Sequence, residues 1–141
     1  MVNFWKDKNK KQLDPELFDS TAEELAKSIC KVYLQNRKRI NAPTQIRKFY
    51  DEVVRFNGRL KSNPEEFDTL LPHIKMMNAK AAYAMGRDRI SEEFKNFISE
   101  SLKQIKDKDD FNAFAGLFEA FMGYYKFHTE KEEKSTQGGA R

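Results

Sequence analysis

Cysteine and tryptophan occur once each in the 141 residues and histidine only twice, and no apolar run reaches the length of a membrane span. The lone Cys30 excludes an internal disulfide and a thiolate metal cluster, and it suits a reducing compartment. Its place beside Ile29 on an apolar stripe reads as a small buried hydrophobe. His73 and His128 form no metal-spaced pair, and neither adjoins a plausible nucleophile. No glycine-rich phosphate loop is present. The acid pairs Glu23–Glu24, Glu65–Glu66, Glu92–Glu93 and Asp109–Asp110 fall near expected helix starts, where the helix dipole accounts for them. These absences argue against an enzyme and against any cofactor or bound metal. The first residues, Met1 to Lys6, lack a signal-peptide core. The expectation is a soluble, cytoplasmic chain with no membrane partner.

Phenylalanine, by contrast, is abundant at 12 residues, enough to fill a compact helical core. Charged residues make up 34% of the chain, with a net charge of +4 and a pI near 9.1. That excess permits nucleic-acid binding without requiring it, so the placement of the charges matters more than their sum. The length fits one core.

Apolar periodicity predicts an all-α, single-domain bundle of about five helices, mostly antiparallel, with the third helix kinked or split at Pro72. Three regions are expected: a loose basic arm over 1–13, a helical bundle over 14–128 and a disordered polar tail over 129–141. Ser20 with Glu23 reads as a capping box, Asn63–Pro64 and Ser91 as helix starts, and Gly86 as a helix stop. Phe111, Phe114, Ala115, Phe118, Phe121, Met122 and Tyr125 form one inward face of the last helix.

Positive charge concentrates where the second helix begins. Pro43 disfavours helix at Ala42, and Thr44 offers a capping hydroxyl. Between Asn36 and Phe49 lie Arg37, Lys38, Arg39, Arg47 and Lys48, with no acid. A helix N-terminus already carries partial positive charge, so an anion there would relieve the conflict, and a nucleic-acid backbone is the natural one. Arg55 and Arg59 continue the same helix, where Arg55 has Asp51 and Glu52 as alternative partners. A second group, Lys80, Tyr83, Arg87 and Arg89, could grip a phosphate or stack on a base, or could cap a helix end instead.

Three motifs then bring a family into view: Thr-Gln-Ile-Arg-Lys-Phe-Tyr at 44–50, Ala-Tyr-Ala-Met-Gly-Arg at 82–87, and Phe-Glu-Ala-Phe-Met-Gly-Tyr-Tyr-Lys at 118–126. In this order they resemble the small subunit of type III-A CRISPR effector complexes, over roughly residues 20–128. The resemblance implies a non-catalytic subunit, present in several copies along a ribonucleoprotein filament. It would hold CRISPR RNA paired with target RNA, beside backbone and large subunits that carry the nuclease and cyclase activities. Thr44, Gln45, Arg47, Lys48, Tyr83 and Arg87 match motif positions and so carry the implied RNA contact. Arg37, Lys38, Arg39, Arg55 and Lys80 join them on charge placement alone. Pro43 departs from the small polar residue that the family more usually has before the Thr.

Two other readings stand beside this one: a helical protein-interaction adaptor whose basic face meets acidic protein partners, and a helix-turn-helix DNA regulator. The second is weakened because the outward side of the second helix is mostly arginine and acid. Tyr124, Phe4 and Trp5 are expected to be exposed aromatics available for contacts between copies.

Overall fold

The computed structural model describes residues 2–139, with side chains described through residue 132. A short antiparallel hairpin, β1 (Trp5–Asp7) and β2 (Gln12–Leu13), opens the chain. The helices follow: α1 (Ser20–Gln35), α2 (Pro43–Ser62), a 3-10 turn (Pro64–Glu66), α3 (Phe67–Lys75), α4 (Met77–Gly86), α5 (Glu92–Gln104) and α6 (Lys108–Gly139). The architecture is the expected all-α bundle, with α3 and α4 as one segment broken in two. Pro72 sits inside α3, and the break falls a turn later at Met76, whose N–H still reaches the Pro72 carbonyl at 3.0 Å.

One face of α6 organises the core. Phe111, Phe114, Phe118, Phe121 and Tyr125 alternate at spacings of three and four, so they line a single stripe, and none is more than 1% exposed. Phe97 of α5 meets Phe114, Phe118 and Phe121 at ring-centroid distances of 5.9, 5.5 and 5.8 Å. Tyr50 of α2 packs on Phe118 at 5.4 Å and Phe56 on Phe111 at 6.5 Å, which sets α2 antiparallel to α6. These separations are the ones at which aromatic pairs attract beyond their buried area. Along α1, Asp19 meets Tyr124 and Glu23 meets His128, so α1 runs parallel to α6. Just before that contact a Cβ at Gly116 would lie 2.8 Å from the tip of the exposed Phe18 ring, which would have to turn aside.

Both ends of the chain depart from expectation. Residues 2–13 include a docked hairpin rather than a loose arm. Phe4 is fully buried and stacks on Phe114 at 6.4 Å. The Trp5 indole donates to Asp110 Oδ1 at 2.8 Å, and Lys8 Nζ reaches Asp110 Oδ2 at 2.9 Å and Asp107 Oδ2 at 3.0 Å. A lysine-rich composition hid this, because Phe4 and Trp5 are only two apolar residues and their partners lie about a hundred positions away. Phe4 and Trp5 are therefore committed to the core, and Tyr124 donates to Asp19 at 2.5 Å, so none of the three is the free aromatic surface expected for contacts between copies. At the other end α6 does not stop at residue 128. Thr129 is buried, its hydroxyl bonds the Tyr125 carbonyl at 2.8 Å, and the backbone stays helical to Gly139; residues 140–141 lie outside the described residues. Packing along α1 supports this polar stretch as far as Glu132, where periodicity gave no signal.

Helix starts follow the sequence in part. The Ser91 hydroxyl accepts from the Phe94 N–H at 3.3 Å, as predicted. Ser20 instead donates to Glu16, and no side chain caps α1. Thr44 does not cap α2 either, because Pro43 takes the first helical position and Ala42 becomes the cap residue. At α6 the cap is reciprocal: Asp110 N–H donates to Asp107 Oδ1 at 2.8 Å, while Asp110 Oδ2 accepts from the Asp107 N–H at 3.3 Å.

Asp110 thus serves the hairpin and the helix cap together. Asp110→Ala is expected to cost about 3 kcal/mol, since it strands several buried or half-buried donors. Trp5 is the only tryptophan, so its emission should shift to the red as the hairpin detaches; an unchanged spectrum and unfolding midpoint would contradict the account. Acid should act the same way. Burial raises the Asp107 pKa, but the Asp110 N–H bond and the Lys8 ammonium outweigh it and hold the carboxyl below its ordinary value of 3.8. Its stabilisation is complete above about pH 4 and fades as pH falls through the lower folded value, an acid limb that Asp107→Asn should flatten.

Candidate nucleic-acid interface

Two helix junctions and the side of α6 meet at Asn41. The residue is fully buried, and its backbone is left-handed at φ 64°, a conformation that asparagine tolerates better than most residues. Its N–H donates to the Arg89 carbonyl at 3.0 Å, its Oδ1 accepts from the Ser91 N–H at 2.8 Å, and its Nδ2 donates to Ser91 Oγ at 2.9 Å. The Tyr125 hydroxyl donates to the Asn41 carbonyl, and burial pushes that phenol's pKa well up, so it remains a donor. The α1–α2 and α4–α5 turns are thereby pinned to each other and to α6. Both basic groups recognised in the sequence come to the same end of the bundle.

Between the first half of α2 and α4 lies a groove of about 460 Å³. Gln45, Lys48, Lys80, Tyr83, Arg87 and Arg89 line it above a floor that includes Phe49 and Met77. Its walls carry four cations, Lys48, Lys80, Arg87 and Arg89, against one carboxylate, Glu52. Tyr83 is 67% exposed, and Arg87 fixes it by a hydrogen bond to its hydroxyl at 3.0 Å and by a guanidinium 5.6 Å from the ring centroid. That pair presents a flat face and a charge together. Helix α2 starts beside the groove with no side-chain cap and no acid in its first turn, unlike α5 and α6, whose first turns hold Glu92, Glu93 and Asp109, Asp110. The anion-attracting end of α2 is left unsatisfied by its own sequence.

The other predicted residues divide by position. Arg37, Lys38 and Arg39 are exposed on the α1–α2 turn, where Arg37 and Arg39 flank a neighbouring cleft that includes Asp88. Arg37 and Lys38 are both left-handed, at φ 55° and 59°, a costly conformation for two non-glycine residues in succession. Thr44 is exposed in the first turn of α2. Arg47 points about 100° around the helix from Lys48, away from the groove, and lies 3.9 Å from Asp51. Arg55 is also outside the groove lining, with its guanidinium over the Phe56 ring at 4.7 Å and 3.5 Å from Glu52. Arg59 pairs with Glu66 at 2.7 Å. Two residues of the site were not singled out by the sequence: Glu52, read only as an Arg55 partner, and Asn41, for which a polar residue before Ala-Pro was the sole signal.

The structure therefore defines an all-α bundle with a basic-walled groove at one end. The family model described as Csm2 Type III-A matches residues 12–131. The chain belongs to this family, the small subunit of type III-A CRISPR effector complexes, and the match extends beyond the expected bundle to include β2 and the continuation of α6. It is also 30% identical over 74 residues to a curated Streptococcus thermophilus protein, "CRISPR system Cms protein Csm2". That alignment covers 51% of this chain and 61% of the relative's length. No solved structure matches the chain significantly. Among the described residues no helix is long and apolar enough to cross a membrane.

Removing the Asn41 side chain tests the junction. Asn41→Ala is expected to lose about 3 kcal/mol in urea unfolding, because the half-buried N–H and hydroxyl of Ser91 lose their partner. A loss under about 0.5 kcal/mol, typical of an exposed surface change, would contradict the assignment.

Proposed function

We propose that this chain is a non-catalytic RNA-binding subunit of a type III-A CRISPR effector complex, and that its α2–α4 groove holds the backbone of guide–target RNA without reading sequence. The observation that carries this reading is the convergence of Lys48, Lys80, Arg87 and Arg89 on one groove, beside the uncapped start of α2. Cations beside the positive end of a helix dipole together suit phosphate oxygens. The exposed Arg37–Arg39 turn extends the positive surface, and Tyr83 offers a stacking face. Arg47 and Arg55 contribute field more than contact. In the same reading the chain works in the cytoplasm, beside backbone and large subunits, with further copies of itself along a filament. Each groove contributes a modest affinity that multivalency along the RNA amplifies.

Lys48→Ala combined with Arg87→Ala should leave helicity intact and weaken binding to mixed-sequence single-stranded RNA. The slope of log K against log salt should flatten by about 1.4, two contacts at about 0.7 each. An unchanged slope would reject the groove as the contact. A partner association that survives nuclease treatment and these substitutions would instead support the protein-adaptor reading.

A further inference from the structure

Glu52 stands in the groove among the cations Lys48, Lys80, Arg87 and Arg89. It is the one carboxylate among the lining residues, and its Oε1 lies 2.5 Å from Lys80 Nζ. Its second oxygen, Oε2, is closed off from solvent and accepts no hydrogen bond, with Arg55 Nη2 the nearby cation at 3.5 Å. A half-satisfied carboxylate is a poor stabilising device. An ion pair between partly exposed groups, here 47% and 23%, is also cheaply exchanged. We propose that Glu52 is a built-in competitor for RNA: in the free protein it holds the Lys80 ammonium, and a backbone phosphate must displace it. Lys80 then turns to the phosphate, while Glu52 keeps Arg55 as its partner.

This inference rests on the RNA reading of the groove and adds a control to it. Sequence-independent cations attract any RNA, and an internal anion lowers the affinity of a single chain, so that firm binding requires several chains acting on one RNA. The groove therefore binds more weakly, and with a shallower salt dependence, than its four cations imply.

The test is anisotropy of labelled, mixed-sequence single-stranded RNA over a potassium chloride series. Glu52→Gln and Glu52→Ala, each checked for helicity by circular dichroism, should bind about threefold or more tightly and steepen the salt slope by about 0.7, the signature of one recovered phosphate contact. Adding Lys80→Ala to Glu52→Gln should remove both gains. Glu65→Gln makes the same charge change at the far end of α2 and should do neither. Unchanged or weaker binding by both Glu52 variants, or an equal gain from Glu65→Gln, would overturn the competitor role while leaving the groove's function standing. Absence of salt-dependent binding by every chain, wild type included, would overturn the groove reading itself.

Discussion

The arrangement of the basic surface depends on the buried hydrogen bonds of Asn41. Helices α1 and α2 on one side, and α4 and α5 on the other, reach this end of the bundle from separate parts of the chain. Their turns would splay apart if each presented only its own cations, because like charges repel across a short gap. Asn41 joins the two turns directly and ties both to Tyr125, the last residue of the aromatic stripe on α6. Repulsion among exposed arginines and lysines is thus opposed by buried, directional bonds in a low-dielectric interior, where such bonds are strongest. The proposed RNA contact depends on the rigidity of that junction.

The starts of α1, α3, α5 and α6 carry acids in their first turns. Asp107 and Asp110 cap each other, and Lys75 places its ammonium against the Leu102 carbonyl near the end of α5. Burial, with Lys106 nearby, lowers the Lys75 pKa. Helix α2, like α4, has neither an acid in its first turn nor a capping side chain, and α2 adds a proline start with cations on both sides of it. The aromatic core behind α2 supplies the stability that this electrostatic conflict removes. Such local inconsistency in an otherwise consistent bundle is where an interaction site is expected.

The helical core was legible because its signal is periodic. Phenylalanines at spacings of three and four define the buried face of α6 whatever packs on it, and Ser91 announces α5 by a local hydrogen bond. The hairpin was not legible, because it depends on Phe4 meeting Phe114 and Trp5 meeting Asp110, contacts with no local trace. The continuation of α6 past Thr129 escaped for the same reason: α1 supports it from outside the segment. For the candidate site, the charge clusters were visible at 37–48 and 80–89, and the chain brings both to one end. Which cations share a groove was not visible, since adjacent residues on a helix point in different directions. Lys48 faces α4, while Arg47, its neighbour, faces solvent and Asp51.

The central claim is that the groove between α2 and α4, with the adjoining turns, is the surface that touches RNA. Amide chemical-shift mapping of the labelled chain during titration with a short single-stranded RNA tests it directly. The account predicts perturbations concentrated at Arg37–Arg39, Gln45, Lys48 and the stretch from Lys80 to Arg89, with the α5 face around Glu92–Glu100 silent. Perturbations centred on that acidic face, or none at these basic positions, would contradict it.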